Sequence, residues 1–282
     1  MMLSVFSLKM SAEAVKSVFL CRLRIVSRYR GWFLFDMLVP TVIAAIPILL
    51  GRAISGENAA ARFLENTGTA NYVAYMVIGA NVFMIVSNSL WIFGFWLRNE
   101  MQTGTLESLY LSPVTKLTLL AGIALYTAFR SLIAFGVAFT GGCLIFGVNP
   151  FQGDVILAVF FLLIGLIPIY GISFFYGALI IRFKEANSLI NLAQWAVAAA
   201  MGIYYPVTVL PRVLQYLCML FPPTWVNQDI RASLLGLSYF FGEWYYDLAV
   251  LWAFCIVAPL LGYYVFLANE KRIKKNEGVG RF

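Results

Sequence analysis

The chain contains no histidine. That absence removes histidine-ligated metal sites, histidine-based catalytic triads and histidine proton relays together. Charge is scarce too: Asp, Glu, Lys and Arg make up 12% of the 282 residues, too few to clothe a water-soluble fold of this length. Four cysteines, Cys21, Cys143, Cys218 and Cys255, stand far apart and mostly inside apolar runs. They lack the paired spacing of a metal site or a disulfide framework and read as small packing residues. No Gly-x-x-x-x-Gly-Lys-Ser/Thr run occurs, so any ATP that this chain uses is bound by another chain. An intramembrane enzyme would be left with scattered carboxylates alone.

What fills the chain is apolar sequence: 62% of the residues are hydrophobic. Six long stretches are Trp32 to Leu50, Asn71 to Trp96, Leu117 to Gly147, Val155 to Ile181, Leu189 to Val209 and Leu248 to Leu267. Each is close to or above the roughly 20 residues that an α-helix needs to cross a hydrocarbon core about 30 Å thick. The third and fourth exceed a perpendicular crossing and must tilt, bend or project. The sequence therefore predicts an all-α integral membrane protein with six transmembrane helices over residues 32–268, preceded by an amphipathic segment at 1–31 and followed by a basic tail at 269–282. The first 31 residues lack an early apolar core with a small-residue cleavage site, so the first span is expected to act as its own insertion signal.

Orientation follows from the basic residues, which are retained on the cytoplasmic side of a membrane. With six spans both termini share a side. The tails and the second and fourth connections carry fifteen of the 20 Lys and Arg residues, whereas the opposite side carries only Arg52, Arg62, Arg212 and Arg231. Both termini are thus expected in the cytoplasm, and the net charge of +7 is mostly the imprint of topology and of anionic headgroups. It does not ask for a nucleic-acid partner.

Three connecting segments carry further pattern. In residues 1–31, Val15, Val18, Phe19, Arg22, Leu23, Ile25 and Val26 recur at helical spacing beside Lys16, Arg24, Arg28 and Arg30. This describes a helix lying in the membrane interface, the plainer alternative being a positive tail that only orients the first span. In the second connection Thr103 or Gly104 can start a short helix, Glu107 falls in its first turn and Ser112-Pro113 ends it. Leu106, Leu109 and Tyr110 then share one face, with Thr105 and Ser108 on the other. Residues 210–247 form a long outer connection broken by Pro211, Pro222 and Pro223, in which Leu214, Leu217, Cys218 and Phe221 predict short amphipathic helices dipping back into the outer leaflet. Trp225, Tyr239, Trp244, Tyr245 and Tyr246 suit an outer aromatic belt.

The run Glu100-Met-Gln-Thr-Gly-Thr-Leu-Glu-Ser-Leu-Tyr-Leu-Ser-Pro resembles the Glu-x-x-x-Gly-Thr-Leu-Glu-x-Leu-x-x-(Ser/Thr)-Pro signature of ABC type-2 permeases. Within that family the pattern is most similar to daunorubicin-type multidrug export permeases. The resemblance extends to Tyr204-Tyr-Pro-Val-Thr-Val-Leu-Pro, Pro223-Thr-Trp and Asp229-Ile-Arg-Ala-Ser-Leu-Leu-Gly. The chain departs from the commonest pattern at Met101-Gln102, where many relatives carry charged residues. The resemblance implies the membrane-spanning permease subunit of an ATP-driven exporter in the cell membrane, not itself an enzyme. It implies two permease copies and two copies of a separate ATPase chain that binds ATP and Mg. It also implies that Glu100, Thr103, Gly104, Thr105, Leu106, Glu107, Ser108 and Pro113 form the ATPase-coupling element. Amphipathic or hydrophobic compounds, drugs or lipids, are the expected cargo, with lipid-linked glycans as the alternative. A secondary transporter or channel is a reading of another class, but the chain shows neither an internal repeat nor several ionisable groups near mid-span.

Polar groups inside the predicted spans mark the remaining candidates. Arg130 lies midway along the third and Asp36 near the inner end of the first. Arg130 can pair with a carboxylate or helix carbonyls, line a wet path or snorkel. Asn81 and Asn88 share one face of the second span, and Asn191 and Gln194 lie on the fifth. These amides can bond between helices or, if the second and fifth spans of two copies face each other, line a pathway with Val82, Ile85 and Trp195. No metal ligand set is expected.

Overall fold

The structure is a computed structural model, and it describes residues 2–55, 59–69, 71–102, 114–149, 153–180 and 186–276. Those residues are almost wholly helical. In chain order the helices are α1 (Met2–Arg28), α2 (Arg30–Ser55), α3 (Ala59–Thr67), α4 (Tyr72–Gln102), α5 (Lys116–Ile145), α6 (Val155–Ile180), α7 (Ala186–Ala200), α8 (Arg212–Met219), α9 (Pro222–Leu235) and α10 (Trp244–Asn276), with a single 3₁₀ turn at Val207–Val209. Polar residues start several of them. The Asn71 side chain accepts the Ala74 N–H, that of Thr115 accepts the Thr118 N–H and that of Asp154 accepts the Leu157 N–H, each satisfying a donor that a helix start leaves free.

Among the described residues, five helices are long and apolar enough to cross a membrane: Met37–Ile54 within α2, Tyr72–Trp96 within α4, Leu117–Ile145 within α5, Val155–Ile180 as α6 and Trp244–Ala268 within α10. Their outer faces are greasy. Leu38, Val42, Ile46 and Leu49 on α2 and Ile256, Leu260 and Tyr264 on α10 are exposed, as suits a hydrocarbon solvent and not water. The fifth predicted span, 189–209, does not form one continuous helix. α7 stops after 15 residues, about 22 Å at 1.5 Å per residue, and the chain then turns through Met201–Tyr205 with Gly202 at φ 58°. Pro206 precedes the 3₁₀ turn.

α4 is the hub. Of its membrane-length stretch 72% is buried, against 22% for those of α2 and α10, because α2, α5, α6, α7 and α9 all pack on it. α10 lies along α6 in the most extensive helix pair of the fold. Glycine makes that approach possible: a methyl at Gly171 would stand 2.5 Å from the Pro259 nitrogen, and one at Gly262 would stand 2.8 Å from the Gly171 carbonyl oxygen. Small residues at such crossings let two backbones touch where lipid offers no hydrophobic drive. Proline adds a second link. Pro168, inside α6, has no N–H for the carbonyl four residues earlier, and the Cys255 thiol of α10 donates to that carbonyl, Ile164 O, at 3.5 Å.

Several polar side chains in the spans bond back to their own helices. Asn81 donates to Val77 O, Ser89 to Ile85 O, Thr127 to Ile123 O and Ser173 to Ile169 O, all at 2.7–2.8 Å, which keeps them satisfied without water. α1 packs on α5. Val18 meets Gly122, and Phe19 sets its ring edge-on to Tyr126 and Phe129, leaving Leu20, Leu23 and Ile25 exposed.

Candidate functional site

Two places in the fold gather polar side chains inside apolar surroundings. The first lies where α2, α4 and α5 meet. A narrow cavity of about 20 Å³ is lined by Pro40, Asn81, Met84, Ile85, Asn88, Ile92, Thr127, Arg130 and Ser131, with Ala134 and Phe135 closing it. It has room for about one water molecule. The cavity brings Arg130 together with Asn81, Ile85 and Asn88, so a guanidinium, two amides and two hydroxyls converge between apolar walls.

The other predicted pathway residues lie elsewhere. Val82 is fully buried in the core. Gln194 donates to the Ser87 hydroxyl and so ties α7 to α4. Asn191 faces outward, next to Leu192 at 66% and Trp195 at 74% exposure. Ser188, Asn191, Leu192, Trp195, Ala196 and Ala199 form one bare stripe along α7. The predicted set thus divides in two: the α4 residues turn into a single chain's interior, and Asn191 and Trp195 turn out of it. Asp36 lies in α2 and Glu100 in the last turns of α4. Thr103, Gly104, Thr105, Leu106, Glu107, Ser108 and Pro113 lie outside the described residues.

The second gathering is α9, whose Trp225 is expected in the outer aromatic belt and whose Arg231 is expected among the outer positive residues. Pro222 and Pro223 occupy its first turn, and it ends at Gly236 with φ 67°, the usual left-handed stop. Nearly every residue of it is buried. One face carries Thr224, Asn227 and Arg231, at i, i+3 and i+7. Thr224 donates to Ala200 O at 3.3 Å, Asn227 to Met201 O at 2.8 Å, and Arg231 to Gly202 O at 2.9 Å and Ile203 O at 2.6 Å. Ala200 O is one of the carbonyls that a helix end leaves without donors, and the other three belong to the turn that follows α7. α9 therefore caps α7, and the backbone after Ala200 can turn inside a dry interior because α9 satisfies it.

Arg231 is 1% exposed. Its Nε also donates to Tyr75 O at 3.2 Å, and its guanidinium carbon lies 3.6 Å from the centre of the Tyr75 ring. Burial pushes its pKa down to about 10, which still leaves it cationic at neutral pH. Its place in the outer connection marks it, by sequence, as an external positive residue, whereas the structure buries it inside the fold. The signal was present in the shared helical face of residues 224, 227 and 231, which no polar count of a loop can register.

The opposite face of α9 carries Asp229 and Ser233. Asp229 and Asp247, the latter in the first turn of α10, are both fully buried. Asp247 accepts the N–H groups of Phe240 at 2.7 Å and Phe241 at 3.0 Å, while neither oxygen of Asp229 receives a donor. Trp225, expected in an outer aromatic belt, is instead buried: its ring packs on Phe240 and Phe241 and its indole N–H donates to Met219 O. Trp244, Tyr245 and Tyr246 are exposed. Comparison with models of known protein families finds no match to this chain, and comparison with curated proteins finds none either.

Proposed function

We propose that this chain is the membrane-spanning subunit of an ATP-driven exporter of the ABC type-2 permease kind, working as two copies with two copies of a separate ATPase chain. The observation that carries this reading is the bare stripe of α7. It sets small residues, Ser188, Ala196 and Ala199, beside an exposed amide at Asn191 and an exposed indole at Trp195. Small residues and amides mark helix–helix contacts in lipid, where an unpartnered amide is costly. A second copy laid on this stripe covers it and encloses a path between the two chains. In this reading α7 and the turn at 201–209 together complete a sixth crossing, both termini lie in the cytoplasm of a cell membrane, and α8 and α9 sit in the outer leaflet. The segment around Gly104 and Glu107, similar to the family signature, meets the ATPase.

ATP can drive such a machine only if the ATPase binds one arrangement of the permease better than another. Amphipathic or apolar cargo suits a route lined by amides, small residues and an indole without a fixed charge. The test is disulfide cross-linking of single cysteines at 191 and 195, in a chain whose own four cysteines are replaced by serine, expressed with the ATPase of the same exporter. Dimers that form at both positions, copurify with the ATPase and lose transport support the proposal. An active complex that cross-links at neither position, or activity without any ATPase chain, rejects it.

A further inference from the structure

We propose that Asp229 of α9 and Asp247 of α10 form a buried proton-binding site that joins the two helices, with one proton held between the two carboxyl groups while the joint is closed. This goes beyond the transport reading and does not depend on it. Both side chains have 0% exposure. The two backbone N–H groups of Phe240 and Phe241 meet Asp247, so each of its oxygens already accepts a hydrogen bond. Asp229 faces Asp247 within hydrogen-bonding reach but receives no donor on either oxygen. Two dry carboxylates in contact cannot both stay ionised. The arrangement is satisfied once Asp229 keeps its proton and donates it to Asp247.

The surrounding charges leave that assignment intact. Arg231, two residues along α9, turns to the other side of the helix, into the carbonyls of Tyr75, Gly202 and Ile203. From the start of α6 comes Asp154, itself exposed and engaged with the Leu157 N–H. From the α9–α10 loop comes Tyr239, whose hydroxyl shares a hydrogen bond with Ser233. α4 contributes the Tyr75 phenol, beneath Arg231. Neither carboxyl has a Lys or Arg partner among the described residues. Nor do those residues place three His, Cys, Asp or Glu groups for a metal ion, so the ligand that fits is a proton. Burial first, and the neighbouring charge of Asp247 second, raise the Asp229 pKa to about 9. When α9 parts from α10 and water reaches Asp229, its carboxyl returns toward its ordinary pKa near 4. The O–H bond then breaks, the proton passes to water and the carboxylate remains. Acid therefore holds the joint closed, and opening it releases one proton.

Infrared difference spectroscopy of the purified full-length chain in lipid nanodiscs tests this. At pH 7 the wild type is expected to show the carbonyl stretch of one buried protonated acid, shifted in D₂O and lost as the pH is raised through about 9. The band should be missing in Asp229→Asn, whose amide can still donate to Asp247. A wild type without the band, or an Asp229→Asn variant that retains it, overturns the proposal. If Asp229→Asn does not reach the membrane, Asp247→Asn replaces it: changing the acceptor should displace the band, and an unmoved band overturns the proposal equally.

Discussion

The guanidinium of Arg231 lies 3.6 Å from the centre of the Tyr75 ring and donates to the same residue's carbonyl at 3.2 Å, so one residue of α4 holds the cation by its backbone and its ring together. The remaining donors reach Gly202 O and Ile203 O. A cation so placed serves as a bracket between α4, α9 and the end of α7.

Removing that bracket should be costly. Arg231→Ala is expected to destabilise the chain by about 2–4 kcal/mol, since it leaves buried carbonyls without donors and opens a cavity. Arg231→Lys should lie between, because an ammonium cannot reproduce the planar fork that spans the three carbonyls. Thermal melts in detergent should rank them wild type, Lys, Ala. Equal Tm for Ala and wild type would reject the bracket.

Gly79 should tolerate no side chain. A methyl there runs into the Arg231 Nη2 and the Ile203 carbonyl oxygen, whereas one at Gly136 in α5 meets nothing within 4 Å. Gly79→Ala is expected to cost about 1–3 kcal/mol and Gly136→Ala close to nothing. Side-by-side melts decide, and similar values at both positions would contradict the packing described.

Cys255 should behave as a donor and not as filler. Cys255→Ser keeps a group able to reach Ile164 O, whereas Cys255→Ala leaves that carbonyl bare beside Pro168. The alanine variant is expected to be less stable than the serine variant by about 1 kcal/mol. The reverse order would mean that the thiol only fills space.

Stability should also depend on pH through Asp229. Its pKa in the folded chain is about 9, above the ordinary value near 3.9 for an unfolded aspartate, so folding takes up a proton between those limits. The stability that this proton supports is complete below about pH 4, declines as the pH rises, and has gone by about pH 9, with a slope of at most about 1.4 kcal/mol per pH unit. Asp229→Asn should flatten the Tm profile across that window. Parallel profiles for the two proteins would contradict it.

The coupling segment offers a separate test of the proposed function. Glu107→Arg sets a positive charge at the positive end of the predicted short helix, and Gly104→Trp adds bulk where a partner is expected to approach. Either should impair ATPase association or ATP-dependent transport by at least tenfold while membrane insertion continues. Unchanged transport in both would remove residues 100–113 from the coupling role.

Much of this architecture is readable from apolar run length. The spans predicted from Asn71, Leu117, Val155 and Leu248 begin within a few residues of α4, α5, α6 and α10, because a helix in lipid must satisfy its own backbone and needs no distant partner to exist. The run at 189–209 shows the limit. It is apolar enough for a span, yet its helix stops at Ala200, and what permits the stop is Thr224, Asn227 and Arg231, more than twenty residues later. A window over the run cannot register donors that arrive from another helix. The candidate site divides the same way. Asn81 and Asn88 share a face by spacing alone, but that the face meets Arg130 depends on how α4 packs on α5. Trp225 is buried rather than belted because Phe240 and Phe241 fold back over it.

The bracket at Arg231 also bears on how the chain is made. Tyr75, Gly202 and Ile203 all precede Arg231, so synthesis delivers the acceptors before the cation, and domains generally form from the amino-terminal end during translation. A lone guanidinium is costly in hydrocarbon, but here it emerges to find its carbonyls already present. α9 is then the element that closes assembly: until residues 224–231 arrive, the last carbonyl of α7 and those of the turn after it form a bare row. A chain truncated short of residue 224 would expose that row to the membrane's quality-control proteases, and one released with α9 complete would not.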